Sequence, residues 1–153
     1  MPRDAITAAS TELPDLWRNR ANILELTRRA ERAVIAPDEP GGFPHDWRAA
    51  LAARIARLNG RAMLADHYLA QAGDEAAVAD PEEVGRDPRE GLVLAFMDQV
   101  ATLPRDVLAD DVETLQEAGL PDADIVRLCE LNAFLSYQCR LDAGLEAIEE
   151  AWA

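Results

Sequence analysis

The sequence contains no lysine, and all 15 of its basic side chains are arginines. Chemistry that requires a lysine amine, such as Schiff-base formation with a carbonyl substrate, is therefore excluded. The arginines are outnumbered by 29 acidic side chains, which leaves a net charge of -14. A surface of this sign repels the phosphates of nucleic acids and of anionic lipids. We therefore expect neither nucleic acid nor a membrane as a partner.

Long apolar runs are also missing. The longest lies around Leu92 to Met97, far short of the roughly 20 residues that a membrane span requires. The first residues contain no apolar core of the kind found in signal peptides, and two cysteines are too few for a disulfide scaffold. We therefore expect a cytoplasmic protein.

Residues that favour β-strands are scarce, and aromatic residues make up only 5% of the chain. Alanine and leucine provide most of the 49% of hydrophobic residues, and both are strong helix formers. A chain of 153 residues is long enough for one domain with its own core. These features predict a single-domain, all-α fold.

A long first helix is predicted from about Ser10 to Ile35. Ser10-Thr11-Glu12 can cap its start, and Ala36-Pro37 disfavours its continuation. Its apolar residues recur along one side, at positions Leu16, Ile23, Leu26 and Ala30.

The next eight residues, APDEPGGF, contain two prolines and two glycines and predict a loop. We accordingly divide the chain into an N-terminal helix with its linker, residues 1–40, and a helical domain, residues 41–153. We expect the two to form one structural unit.

A second helix is predicted from Pro44 to Leu58, since Trp47, Leu51, Ile55 and Leu58 form an apolar stripe at helical spacing. Asn59-Gly60 then breaks the chain. A third helix follows and contains His67, one of two histidines in the sequence, and Gly73 is expected to cap its C-terminus.

Four further helices are predicted from capping signals. Asp80-Pro81-Glu82-Glu83 predicts a short helix, and Asp87-Pro88-Arg89-Glu90 begins a longer one that ends at Leu103-Pro104. Another runs from Asp110 to Ala118-Gly119, and the last extends from Pro121 to about Trp152. The expected fold is thus a bundle of about six or seven helices. The wide apolar face of the last helix suggests burial on more than one side, as at a bundle centre or a subunit interface.

This order of helices resembles the alkylhydroperoxidase D-like (AhpD-like), or carboxymuconolactone decarboxylase, family. Three stretches carry the resemblance: GGFPHDWRAALAARIARLNGRAMLADHYLAQAG, GLVLAFMDQVATLP and DDVETLQEAGLPDADIVRLCELNAFLSYQCRLDAGL. Together with their linkers they cover Gly41 to Leu145. The third is similar to the ending of peroxidase-related members. The resemblance implies an AhpD-like helical bundle and a homo-oligomer, whether dimer, trimer or hexamer.

The peroxidase site of that family consists of a glutamate, a C-x-x-C motif eleven residues later, and a histidine three residues after the second cysteine. Counting back from His67 places the second cysteine at Met63, the first at Gly60 and the glutamate at Arg48. Only the histidine remains, because Met63 cannot form a thiolate and Gly60 has no side chain. We therefore interpret Arg48, Gly60 and Met63 as vestigial positions of a lost redox site.

His67 is the one candidate catalytic residue. The family's decarboxylase branch also lacks the cysteine pair and relies on acid–base groups, so His67 could act as a general acid or base. Its neighbour Asp66 points about 100° away on a helix and is a poor orienting group. The alternative is a hydrogen-bonded histidine with a purely structural role. Polar residues that could line a pocket with His67 are Tyr68, Glu130, Asn132 and Tyr137.

Three other groups have less support. His45 could join His67 at a metal, but the spacing fits no metal motif, and we expect no metal and no cofactor. Cys129 and Cys139 are ten residues apart on one predicted helix, about 15 Å, which forbids an internal disulfide. The arginines at positions 28, 29 and 32 could bind an anion or pair with nearby glutamates.

Three functions remain open from the sequence. The first is a family member that has lost thiol peroxidase activity and has a binding or structural role. The second is a cofactor-free acid–base enzyme that acts through His67 on a small carboxylate or lactone. The third is a peroxidase-related oxidoreductase whose cysteines come from another chain. A small-molecule ligand is expected in the second case.

Overall fold

Six α-helices and two short 3₁₀ segments make up the described part of the chain. The structure is a computed structural model and describes residues 21–152. The helices are α1 (Ala21–Ile35), α2 (His45–Leu58), α3 (Ala62–Leu69), α4 (Pro88–Thr102), α5 (Ala109–Glu117) and α6 (Asp122–Trp152), and the 3₁₀ segments are Gly73–Ala79 and Pro104–Asp106. Residues 21–152 contain no β-strand, so the predicted all-α fold is confirmed. The predicted start of the first helix lies outside the described residues.

Helix α2 is the centre of the bundle. Every residue from Trp47 to Ala56 is buried, and the helix packs against α1, α3, α4, α6 and the first 3₁₀ segment. The sequence predicted burial of one stripe only. The remaining faces are rich in alanine, whose small side chain lets neighbouring helices approach closely.

Two buried arginines on α2 bind backbone carbonyls of the loops around it. Arg54 contacts both carboxylate oxygens of Asp98 at 2.7 Å and donates to the carbonyls of Val78, Asp80, Pro81 and Glu83. Because these carbonyls accept from Arg54, residues 80–83 form a turn instead of the predicted short helix, and the nearby helical segment is the 3₁₀ turn Gly73–Ala79.

Arg48 has the same role nearer the start of α2. Its guanidinium donates to the carbonyls of Val34, Pro40 and Phe43, each at 2.9 Å. It therefore connects the end of α1, the following loop and α2. The position that aligns with the family's glutamate is thus occupied by a side chain with a structural role.

The loop that Arg48 binds also contacts the start of α6. The Asp124 carboxylate is 5% exposed and accepts from the backbone N–H of Gly42. A side chain at Gly41 would collide with this carboxylate, and Gly41 also has a positive φ of 66°. Two glycines are therefore required where the loop passes α6.

Helix α3 is shorter than predicted. Asn59-Gly60 ends α2 as expected, with Gly60 at φ 69°. However, α3 ends at Leu69, because the N–H groups of Gln71 and Ala72 bond three residues back and tighten the chain. Gly73 opens the next 3₁₀ segment, so its predicted role as the C-cap of this helix is wrong.

The remaining helices begin and end within two residues of the predicted positions, although the acidic cap of α5 is Asp111 and not the predicted Asp110. The Asp87 side chain accepts from the N–H of Glu90 at the start of α4, which ends at Thr102 before Pro104. In α5 the carboxylate of Asp111 accepts from the N–H of Leu108. Among residues 21–152, no helix combines the length and the apolar composition that crossing a membrane requires.

Helix α1 packs through a side that the sequence did not single out. Thr27 and Ile35 are buried and Val34 is half-buried, whereas Ile23 and Leu26 are 41% and 55% exposed. The predicted apolar side therefore lies mostly on the surface of the single chain.

Candidate functional site

His67 is at the surface where α1 meets α3. Its Nε2 is 3.1 Å from Oε1 of Glu31 on α1, and the side chains are 31% and 13% exposed respectively. A carboxylate accepts only, so the ring nitrogen that faces it carries the proton. In the neutral imidazole, Nδ1 then has the free lone pair. The pair combines a solvent-accessible imidazole with a mostly buried carboxylate.

Gln71, one turn further along, also contacts His67. Its amide nitrogen is 3.2 Å from the His67 backbone carbonyl and 3.4 Å from Nε2. The two contacts of Nε2 compete, since donation by Gln71 would require an unprotonated Nε2. The shorter distances favour the assignment in which Nε2 donates to Glu31 and the Gln71 amide donates to the carbonyl.

Behind this pair lies a buried phenol. Tyr68 is fully buried, and its hydroxyl donates to the side-chain carbonyl of Gln138 on α6. Burial, reinforced by the negative charge of Glu31, raises the pKa of Tyr68 well above its ordinary value. The phenol therefore stays protonated. Its ring lies edge-on to the His67 ring, with centroids 4.9 Å apart. Glu31 is thus placed between an accessible imidazole and a buried phenol.

The other predicted pocket residues have separate partners. Tyr137 is 41% exposed, and its hydroxyl is 3.0 Å from that of Thr27 on α1. Asn132 is buried and donates to the carbonyl of Met97, while its Oδ1 has no partner among the described residues. Glu130 is exposed. Among these four predicted pocket residues, Tyr68 is the one whose ring contacts the ring of His67.

The three positions interpreted from the sequence as vestigial hold no thiol. Gly60 forms the turn before α3, and Met63 is 50% exposed on the first turn of that helix. Arg48 is 1% exposed, and burial, followed by the charge of Arg127, lowers its pKa. Its guanidinium donates to three backbone carbonyls, and because an arginine stays protonated in proteins it cannot relay protons as a glutamate does.

The two cysteines are both free and both lie on α6. Ten residues on a continuous helix separate them by about 15 Å, which agrees with the prediction that they cannot form an internal disulfide. Cys129 is exposed and Cys139 is buried. Burial raises the pKa of both thiols, to about 11 for Cys139.

The remaining candidates have local partners. His45 contacts the carbonyl of Pro37 at 2.8 Å, and within residues 21–152 no group of three His, Cys, Asp or Glu side chains has metal-site geometry. In the arginine group of α1, Arg32 lies 3.9 Å from Glu25, with both side chains largely exposed.

The residue that the sequence did not reveal is Glu31. It is 36 positions from His67 in the chain, so no local pattern connects the two. A weak signal was present, because Thr27 and Glu31 are polar residues one turn apart on the side of α1 that continues to Val34. That signal does not identify a partner.

No protein-family model matches the chain, and no curated protein is similar enough in sequence to count as a match. Among solved structures, the chain is similar to the crystal structure of an uncharacterised peroxidase-related protein from Silicibacter sp. TM1040. The two are 15% identical, the match covers 88% of this chain and 85% of that one, and the TM-score is 0.70. At this identity the likeness concerns the fold alone: the chain has an all-α fold similar to that of the peroxidase-related protein.

Proposed function

We propose that this protein uses the AhpD-like fold without dithiol peroxidase chemistry, and that it has a binding or structural role. The observation that carries the proposal is the position of the cysteines. Both lie on α6, ten residues apart, and the family's motif positions hold Gly60 and Met63. Two sulfurs about 15 Å apart cannot alternate between a dithiol and a disulfide within one chain.

The state of the thiols supports the same proposal. The thiolate is the form that attacks a hydroperoxide. With a pKa of about 11 for Cys139, only about one thiol in ten thousand is ionised at neutral pH. The more exposed Cys129 also has a raised pKa, caused by burial and by the nearby charge of Glu130.

Hydroperoxide consumption with dithiothreitol as reductant tests this proposal. We expect the rate with protein to equal that of the reductant alone. The matched controls are Cys129→Ser and Cys139→Ser, which should leave that rate unchanged. Turnover that either substitution abolishes would overturn the proposal. It would also favour the remaining hypothesis, in which cysteines of two chains cooperate.

A second candidate function is acid–base catalysis at His67. The observation that favours it is that the imidazole is 31% exposed and paired with a carboxylate instead of being enclosed in the apolar core. Such a group can exchange protons with a bound molecule. By resemblance, the expected substrates are small carboxylates or lactones.

Proton exchange measures this activity without knowledge of the product. A panel of lactones and carboxylates is incubated with the protein in D₂O, and loss of the proton next to the carbonyl is followed by NMR. We expect exchange above the buffer rate for at least one compound, and its loss in His67→Gln. The control His45→Gln should keep it. Exchange that persists in His67→Gln would contradict the candidate.

A further inference from the structure

We infer that Glu31 is the positioning residue of an acid–base dyad with His67, and that Nδ1 of His67 is the atom that transfers the proton. The inference rests on the acid–base candidate above. It adds a residue from α1 and an acting atom.

The first step is the direction of the hydrogen bond. Nε2 of His67 lies 3.1 Å from Glu31 Oε1, and a carboxylate requires a donor there. The proton of the neutral ring is therefore on Nε2. Nδ1 makes no hydrogen bond to any residue in the described range 21–152, and the ring is partly open to solvent. A carboxylate behind the ring fixes its tautomer and orientation, which is the usual arrangement for a working histidine.

The second step is why Glu31 itself stays in place. Its side chain is only 13% exposed, and a buried charge is costly without partners. It is a residue of α1, which Arg48 secures to α2 through the Val34 carbonyl and which Thr27 joins to Tyr137 on α6. The carboxylate is thus held by the fold and not by a flexible loop.

The third step concerns the reaction. Nδ1 takes a proton from the carbon next to a carbonyl: the C–H bond breaks, its electron pair moves into an enolate, and an N–H bond forms. The resulting imidazolium is stabilised by the Glu31 carboxylate. Return of the proton restores the ring. No oxidant, reductant or metal is needed, and charge is conserved at each stage.

The test combines an NMR measurement on the His67 ring, which requires no catalytic activity, with a measurement of the proton-exchange rate, which does. The matched variants are Glu31→Gln, which removes the charge but keeps the shape, and Glu25→Gln. Glu25 is on the same helix, is largely exposed and contacts only Arg32 at 3.9 Å in the described structure. A His45→Gln background leaves His67 as the single histidine, so that its NMR signals need no assignment.

Proton NMR of the imidazole gives the first readout. We expect a downfield, exchange-protected Nε2–H signal that moves upfield or disappears in Glu31→Gln and is unchanged in Glu25→Gln. A signal that does not respond to Glu31→Gln overturns the dyad even if His67 proves catalytic.

Deuterium exchange of the panel compound that exchanges fastest gives the second readout. We expect Glu31→Gln to reduce the rate by about 10- to 100-fold, as is typical when an outer carboxylate is lost, and Glu25→Gln to leave it unchanged. An exchange rate that Glu31→Gln leaves unchanged would overturn the positioning role of Glu31. If no compound exchanges while the Nε2–H signal behaves as expected, the acid–base candidate fails and the dyad is structural, which overturns the catalytic part of the inference.

Discussion

At the scale of single residues, the main lesson comes from the two buried arginines of α2. Arg48 and Arg54 are 1% and 3% exposed, yet both direct their guanidinium groups at backbone carbonyls. A guanidinium offers five donors in a rigid plane. One such side chain can therefore satisfy several loop carbonyls at once, which buried backbone requires.

This role predicts the effect of placing a glutamate at position 48, where the resemblance to the AhpD-like family would have one. Arg48→Glu places a carboxylate against the carbonyls of Val34, Pro40 and Phe43, and it removes three hydrogen bonds. We expect the free energy of unfolding to fall by at least about 3–5 kcal/mol, as when one partner of a buried ionic contact is lost. Urea denaturation followed by circular dichroism measures it.

The control for this substitution is Arg29→Glu, which changes the net charge by the same amount on the exposed side of α1. It should cost less than about 0.5 kcal/mol. Equal losses in the two variants would show that net charge, and not the buried contacts, determines the result. A large loss at position 48 alone would show that the buried contacts of Arg48 stabilise the fold.

At the scale of helices, local sequence signals predicted most helix boundaries. They failed where contacts between residues far apart in the sequence determine the local structure. The C-terminus of α2 and the N-terminus of α4 were predictable, because a Gly turn and an Asp cap each act within four residues. Residues 80–83 carry an equally good cap signal, but Arg54 binds their carbonyls from up to 29 positions away. Likewise, His67 could be identified as a candidate from the sequence, whereas its partner Glu31 could be identified only from the structure, in which α1 packs near α3.

One contact between helices predicts a dependence of stability on pH. Glu90, on the first turn of α4, accepts hydrogen bonds from Arg86 and from the indole N–H of Trp47 on α2. These bonds, chiefly those from Arg86, lower the pKa of Glu90 to about 2. Since the folded-state pKa lies below the ordinary value of 4.5, the stabilisation is complete above pH 4.5 and is lost as the pH falls toward 2.

The substitution Glu90→Gln removes this titration. We expect it to reduce the free energy of unfolding by about 1–2 kcal/mol at pH 7, a figure discounted because Arg86 is exposed to solvent. The difference from the unmodified protein should shrink below pH 4.5 and vanish near pH 2. Parallel denaturation curves across this range measure it, with the exposed Glu113→Gln as control. A difference that stays constant with pH would exclude ionisation of Glu90 as its cause.

At the scale of the whole molecule, the two sides of α1 have different surroundings. Its inner side makes the polar contacts of Thr27 and Glu31 with α6 and α3. Its outer side carries an apolar stripe of Ile23, Leu26, Ala30 and Ala33, all exposed in the single chain. Two large residues are followed by two small ones. An antiparallel copy of the same stripe would place Ile23 against Ala33 and Leu26 against Ala30.

We expect this complementarity to produce a symmetric dimer. A two-fold axis that passes between Leu26 and Ala30 packs each large side chain against an alanine, which gives close contact without voids. Leu26→Glu puts a charge at the centre of the stripe and should weaken association by at least about 10-fold, or ~1.4 kcal/mol.

The control is Val84→Glu, which alters a residue that is 80% exposed on a distant loop. Light scattering coupled to size-exclusion chromatography measures the mass of each variant over a range of concentrations. A monomeric unmodified protein, or a dimer that survives Leu26→Glu, would contradict the predicted interface. A dimer that only Leu26→Glu dissociates would place the interface on the same helix as Glu31, so that assembly and the His67 site share one element.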